Sequence, residues 1–221
     1  LWEATDDFVK SHPEALGRVR SVKFSMFNLN SGETLPKEVR NLKFLESFSL
    51  AANENNQIRE VELGEDICEL KYLKDLTVQA YGMTHLPANF VNLGKNLETL
   101  NLVSNNFNKL SDITNVVNEK NFPKLRNLIL YAQRRTDVAI NISQLEKNSE
   151  GNYIYNTYPI GLYGKVSAGT SDSQALLKLL TWDKLNALKL SYCFLEGELP
   201  TDDEMDAALK AAGKATRYSK A

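Results

Sequence analysis

Leu97-Glu-Thr-Leu-Asn-Leu-Val-Ser-Asn-Asn106 carries leucine at its first, fourth and sixth positions and asparagine at its ninth. The same unequal spacing starts again at Val19, Leu45, Leu73, Leu125 and Leu185. The first five starts are separated by 26, 28, 24 and 28 residues. The next gap, from Leu125 to Leu185, is 60 residues and suits two repeats, so Tyr155, Tyr158 and Ile160 are read as a degenerate copy in which Pro159 removes one ladder donor. Seven copies at a nearly fixed period are the signature of stacked supersecondary units.

The spacing follows from strand geometry. Side chains alternate sides along a strand, so the fourth and sixth residues share the face that enters a core while the third, fifth and seventh share the other. One such strand cannot bury its apolar face alone, and neighbouring copies must stack in parallel with the connecting segments returning behind them. The ninth residue falls where the chain turns off the strand and leaves backbone groups inside the coil, which an inward amide can satisfy. Asn53 and Asn105 fit that role, Gln133 and Cys193 are substitutes, and Phe27, Tyr81 and Tyr163 depart from it.

On these residues the chain resembles the leucine-rich repeat family, with its pattern L-x-x-L-x-L-x-x-N/C-x-L, over residues 19–200. The resemblance implies an α/β solenoid, a curved right-handed superhelix with a parallel concave sheet and short helices or turns on the convex side. Return segments such as Leu35-Pro-Lys-Glu and Leu86-Pro-Ala-Asn, and the run Leu195-Glu-Gly-Glu-Leu-Pro200, look like the longer repeats of plant and bacterial extracellular members. The irregular repeats and the lack of paired-cysteine caps favour the bacterial group.

Residues 1–18 are expected to cap the first coil with a helix starting near Thr5 and carrying Trp2, Phe8, Val9 and Leu16. On the convex side, Ser171-Asp-Ser-Gln174 has the form of a capping box and predicts a helix to about Thr181. A short helix is expected over 112–120, and the Leu-Pro segments are expected to be single 3₁₀ turns. Thr201 and Glu204 form a second capping box, so 201–221 reads as a helical cap or as a linker. The polar segment 143–155 reads as a solvated surface loop.

Composition narrows the function. With 26 basic and 28 acidic residues, no overall field selects nucleic acid or an anionic membrane surface. No apolar run reaches the roughly 20 residues of a membrane-spanning helix. The start at Leu1 without methionine suggests a processed or excised piece whose targeting segment is missing. Cys68 and Cys193, too few and too far apart for a disulfide framework or a zinc site, are expected to be buried thiols.

Catalysis finds no motif. His12 and His85 lack partner spacing, Gly161-Leu-Tyr-Gly164 lacks the lysine and helix of a phosphate loop, and the acid pairs Asp6-Asp7 and Asp202-Asp203 suit helix starts. The sequon Asn141-Ile-Ser143 matters only in a glycosylating host. No cofactor or metal is expected. The concave face is sparsely charged, which argues against a phosphate groove. Its candidate ligand-binding residues are Thr77, Gln79, Asn101, Ile129, Tyr131, Leu162, Lys189 and Tyr192, where polar groups neighbour apolar and aromatic ones. The aromatics either anchor a partner or pack on each other.

The expectation is therefore a non-enzymatic module holding a protein, peptide or glycan on its concave sheet. The resemblance implies a bacterial cell-surface or secreted location, with a lipid anchor removed. An architectural spacer, or a substrate-recruiting domain of a longer protein, is the alternative.

Overall fold

The computed structural model describes residues 7, 8, 10–53, 59–133, 149–150, 164–166, 171–191, 193, 195–197 and 199–216. The template segments become strands β1 (Ser21–Ser25), β2 (Ser47–Ala51), β3 (Asp75–Gln79), β4 (Thr99–Asn101) and β5 (Asn127–Ile129). Gly164–Val166 forms β6, Ala187–Lys189 β7 and Leu195–Gly197 β8. Strands β1 to β5 and then β7 make one parallel sheet in that order. Val22, Phe48, Leu76, Leu100, Leu128 and Leu188 are register partners from strand to strand, so the template's fourth residues stand in one interior column. Phe48, Leu76, Leu100 and Leu128 in that column are fully buried. The expected parallel α/β arrangement is present.

Each coil repeats one backbone contact. The second-position N–H donates to the second-position carbonyl of the preceding coil: Glu46 to Arg20, Lys74 to Glu46, Glu98 to Lys74, Arg126 to Glu98 and Asn186 to Arg126, all at 2.7–2.8 Å. The last of these joins coils 60 residues apart in sequence. Strand β7 pairs directly with β5, and the repeat expected at 155–160 falls outside the described residues. A correction concerns Leu195–Gly197, expected as a return turn, which pairs as β8 with β6 in a separate two-stranded sheet.

Leaving the strand requires a sharp turn. Two residues past the sixth-position apolar group, Met26, Ala80, Ser104 and Ala132 adopt the left-handed region with φ of 56–65°. That conformation costs a side-chain-bearing residue about 1–2 kcal/mol. Tertiary bonds hold it: Ala80, Ser104 and Ala132 each donate their N–H at 3.0 Å to the next coil, to the carbonyls of Val103, Tyr131 and Ser191.

The following residue turns inward. Asn105 donates from Nδ2 to the carbonyls of Val78 at 2.8 Å and Leu102 at 2.9 Å, and its Oδ1 accepts the N–H of Met83 at 3.1 Å. Gln133 repeats this one coil on, donating to Leu102 and Leu130 and accepting from Phe107. Cys193 donates its thiol to Leu130 at 2.9 Å. Tyr81, a departure from the amide pattern, reaches two coils back and donates its hydroxyl to Phe27 at 2.5 Å. Both cysteines are buried and in no disulfide, and burial pushes the Cys68 thiol up to about 12, which disfavours its thiolate.

The return segments carry 3₁₀ turns at Lys37–Asn41, Glu65–Glu69 and Phe90–Leu93. Glu65 links two of them, its carboxylate accepting the N–H groups of Ala88 at 2.6 Å and Asn89 at 3.1 Å. Gly94 is required by close approach, since a Cβ there would lie 2.0 Å from the Asn121 carbonyl oxygen. The helix expected over 112–120 is instead Leu110–Thr114 (α2, with α1 at Pro13–Leu16), because the Asn118 side-chain amide bonds the carbonyl of Thr114 and ends it.

Helices α3 (Ser171–Leu180) and α4 (Asp202–Ala211) fall where expected, and the capping box of Thr201 and Glu204 is formed. Helix α4 buries Met205 and Leu209 and contacts α3. Just beyond it, Lys214 bonds Glu119 and the Thr181 carbonyl, so this segment docks on the return-segment layer. At the other end Trp2, Thr5 and Val9 lie outside the described residues. Phe8 stacks on His12 at 4.9 Å and stays 44% exposed, while Leu16 packs on the core.

Candidate functional site

The template's third, fifth and seventh residues face away from the core, and the strand register fixes how they meet. Lys23, Ser49, Thr77, Asn101, Ile129 and Lys189 are consecutive partners, a single row across the sheet. Four of the candidates therefore stand side by side: Thr77, Asn101, Ile129 and Lys189. At about 4.8 Å per strand they span roughly 14 Å. Gln79 lies in the next row, which inter-coil bonds continue through Val103 and Tyr131 to Ser191.

These side chains remain accessible. Thr77, Gln79, Asn101 and Ile129 are half-buried, Lys189 is exposed, and Tyr131 keeps 38% of its surface. Some of its polar groups bond one another: Asn101 Oδ1 accepts the N–H of Val103 at 3.1 Å and Asn127 donates to Thr99 Oγ1 at 3.1 Å. Such local bonds hold the polar side chains in place. Leu162 and Tyr192 lie outside the described residues, as do the segment 143–148 and 151–155, the sequon and Gly161 to Tyr163.

The second-position residues form a rail beside the sheet with alternating sign: Arg20, Glu46, Lys74, Glu98, Arg126. Glu46 sits between cations, 3.9 Å from Arg20 and 2.7 Å from Lys74. The Lys74 hydrogen bond holds the Glu46 carboxyl below its usual range, and the same bond raises the Lys74 ammonium. Alternation becomes visible when the charges are read across coils instead of along the chain.

The position just before each template start was missed altogether. It holds Arg18, Phe44, Tyr72, Asn96, Lys124 and Lys184. Phe44 and Tyr72 stack across adjacent coils at 5.5 Å and 25°, with the Arg20 guanidinium 5.5 Å from the Phe44 ring centre. Two aromatics at one repeat position were the available signal.

His85, in its turn, has Nδ1 3.2 Å from Thr84 Oγ1. Among the described residues no cluster of three or more histidine, cysteine or acidic side chains forms a metal donor set. No described helix is long and apolar enough to cross a membrane.

No family model matches the chain, and no curated protein matches it. A solved structure of a leucine-rich repeat protein of Leptospira interrogans is similar to it, at 19% identity and a TM-score of 0.46, covering 84% of this chain. The chain spans 39% of the length of that neighbour.

Proposed function

We propose that the protein is a non-enzymatic binding module that holds a protein, peptide or glycan partner on the open face of its parallel sheet, and that it works at a bacterial cell surface or in secreted form. The observation that carries this reading is the row Thr77, Asn101, Ile129 and Lys189, with Gln79 and Tyr131 beside it: accessible, mostly uncharged side chains fixed on paired strands. Rigid strands lose little freedom when a partner docks, so more of the contact energy survives as affinity. Ile129 and Tyr131 supply apolar anchors of the kind that dominate interfaces, with Lys189 and Gln79 as polar contacts around them. The surface location rests on the family resemblance alone.

The test is capture from cell-surface and mucus extracts by the wild type and by Ile129→Glu with Tyr131→Glu. A specific partner retained by the wild type and lost by the double variant, with unchanged thermal unfolding, is expected. Equal capture by both proteins contradicts a docking role for this face.

A further inference from the structure

Beside the sheet, on the flank formed by the return turns, lies a groove of about 610 Å³ lined by Arg40, Lys43, Glu65, Asp66, Lys71 and Tyr72, among others. That volume falls in the roughly 300–1,000 Å³ range of small-molecule sites. Its rim aromatic does not behave as a core residue. The leucines flanking these aromatics, Leu45 and Leu73, are completely buried, whereas Phe44 and Tyr72 keep 43% and 53% of their surface. Nothing in the core needs them there, since the equivalent residues of other coils are Arg18, Asn96, Lys124 and Lys184.

The charges in the groove cancel. Arg40 lies 3.6 Å from Asp66, Lys71 lies 3.8 Å from Glu69, and Glu65 is occupied by the N–H groups of Ala88 and Asn89. The remaining lining cation is Lys43, so neither a polyanion nor a polycation is selected by the field. What is left is a dense set of hydrogen-bonding groups beside an exposed, pre-stacked aromatic ring. A pyranose ring has the matching chemistry: a flat C–H face that lies on an aromatic ring and a rim of hydroxyls that both donate and accept. We propose that this groove binds a neutral saccharide, with one sugar ring resting on Tyr72 and its hydroxyls turned toward Arg40, Asp66 and Lys43. The stack with Phe44 holds the Tyr72 ring before the ligand arrives, which lowers the ordering cost. This site is separate from the sheet face and stands or falls without it.

The experiment is calorimetric titration of the full chain with maltohexaose, cellohexaose, mannohexaose and chitohexaose, using the wild type, Tyr72→Asn, Tyr72→Phe and Ile129→Glu. Thermal melts confirm that each variant is folded; Tyr72→Asn copies the residue found at the same place one coil on. Binding of at least one of these sugars is expected, weakened roughly tenfold or more by Tyr72→Asn, the scale on which anchor residues act. Tyr72→Phe and Ile129→Glu should stay within about threefold of the wild type, a ratio well below the tenfold effect. Failure of all four sugars to bind overturns the proposal, as does equal binding by Tyr72→Asn. Loss of sugar binding in Ile129→Glu but not in Tyr72→Asn would move the site to the sheet, overturning this groove and leaving the sheet-face reading intact.

Discussion

Asn105 concentrates at one residue what the repeat asks of its ninth position. Its amide satisfies two carbonyls and one N–H in the interior, among coils that water does not reach. Leaving a buried polar group unpaired costs about 1–3 kcal/mol. Asn105→Ala orphans the Val78 carbonyl and the Met83 N–H, whereas Leu102 keeps its bond from Gln133. Urea unfolding should therefore report a loss of about 3 kcal/mol, near the upper end of ordinary point substitutions. A loss under about 0.5 kcal/mol, the size of a neutral surface change, would mean the amide is not structural. The template leucines and the inward Asn105, Gln133 and Cys193 were legible in the sequence because their roles demand particular side chains. The left-handed turns at Ala80 and Ala132 were not, because inter-coil hydrogen bonds impose that conformation on residues with no preference for it.

Among the elements, the 3₁₀ turns are joined by carboxylates. At Glu65 desolvation pushes the pKa up, but the bonds from Asn89 and Ala88 outweigh it and hold the carboxyl below its usual range. Glu33 is lowered likewise, first by the backbone N–H of Asn30. A carboxyl whose folded pKa is lowered adds stability above its unfolded pKa, here about 4.5, and loses it as pH falls through the folded value. Thermal stability should thus be flat above about pH 5.5, a unit above the unfolded pKa, and decline as pH falls below about 4.5. Glu65→Gln, which keeps one acceptor and loses the other, should narrow the gap between pH 6 and pH 3.5 melts; an unchanged gap would show that Glu65 does not carry it. Helix α4 was readable from Thr201 and Glu204 because a capping box is a local device. The neighbour of β5 was hidden for the opposite reason: a three-residue template such as Tyr155, Tyr158 and Ile160 is local, yet sheet order is decided by which strand β5 meets, and that strand is β7.

For the whole molecule, one long-range fact places the proposed binding surface: equivalent coils lie side by side, and this puts Thr77, Asn101, Ile129 and Lys189 in a row. The candidates scattered over more than a hundred residues of sequence become neighbours only through this register. Periodicity alone supplied it for β1 to β5, while the groove beside Tyr72 stayed hidden because its lining comes from return turns of separate coils, outside the strand template. Register can be measured directly by pairing cysteines across the open face. Partner strands lie about 4.8 Å apart, inside the roughly 4.4–6.8 Å Cα range of a disulfide, and second neighbours lie about twice as far. Under mild oxidation Ser49→Cys with Thr77→Cys should close a bridge, seen as a thiol loss and a linked peptide by mass spectrometry, while Ser49→Cys with Asn101→Cys should remain open. Bridging of the second pair, or an open first pair in a folded protein, would contradict the stacked-coil account and remove the row on which the proposed binding depends.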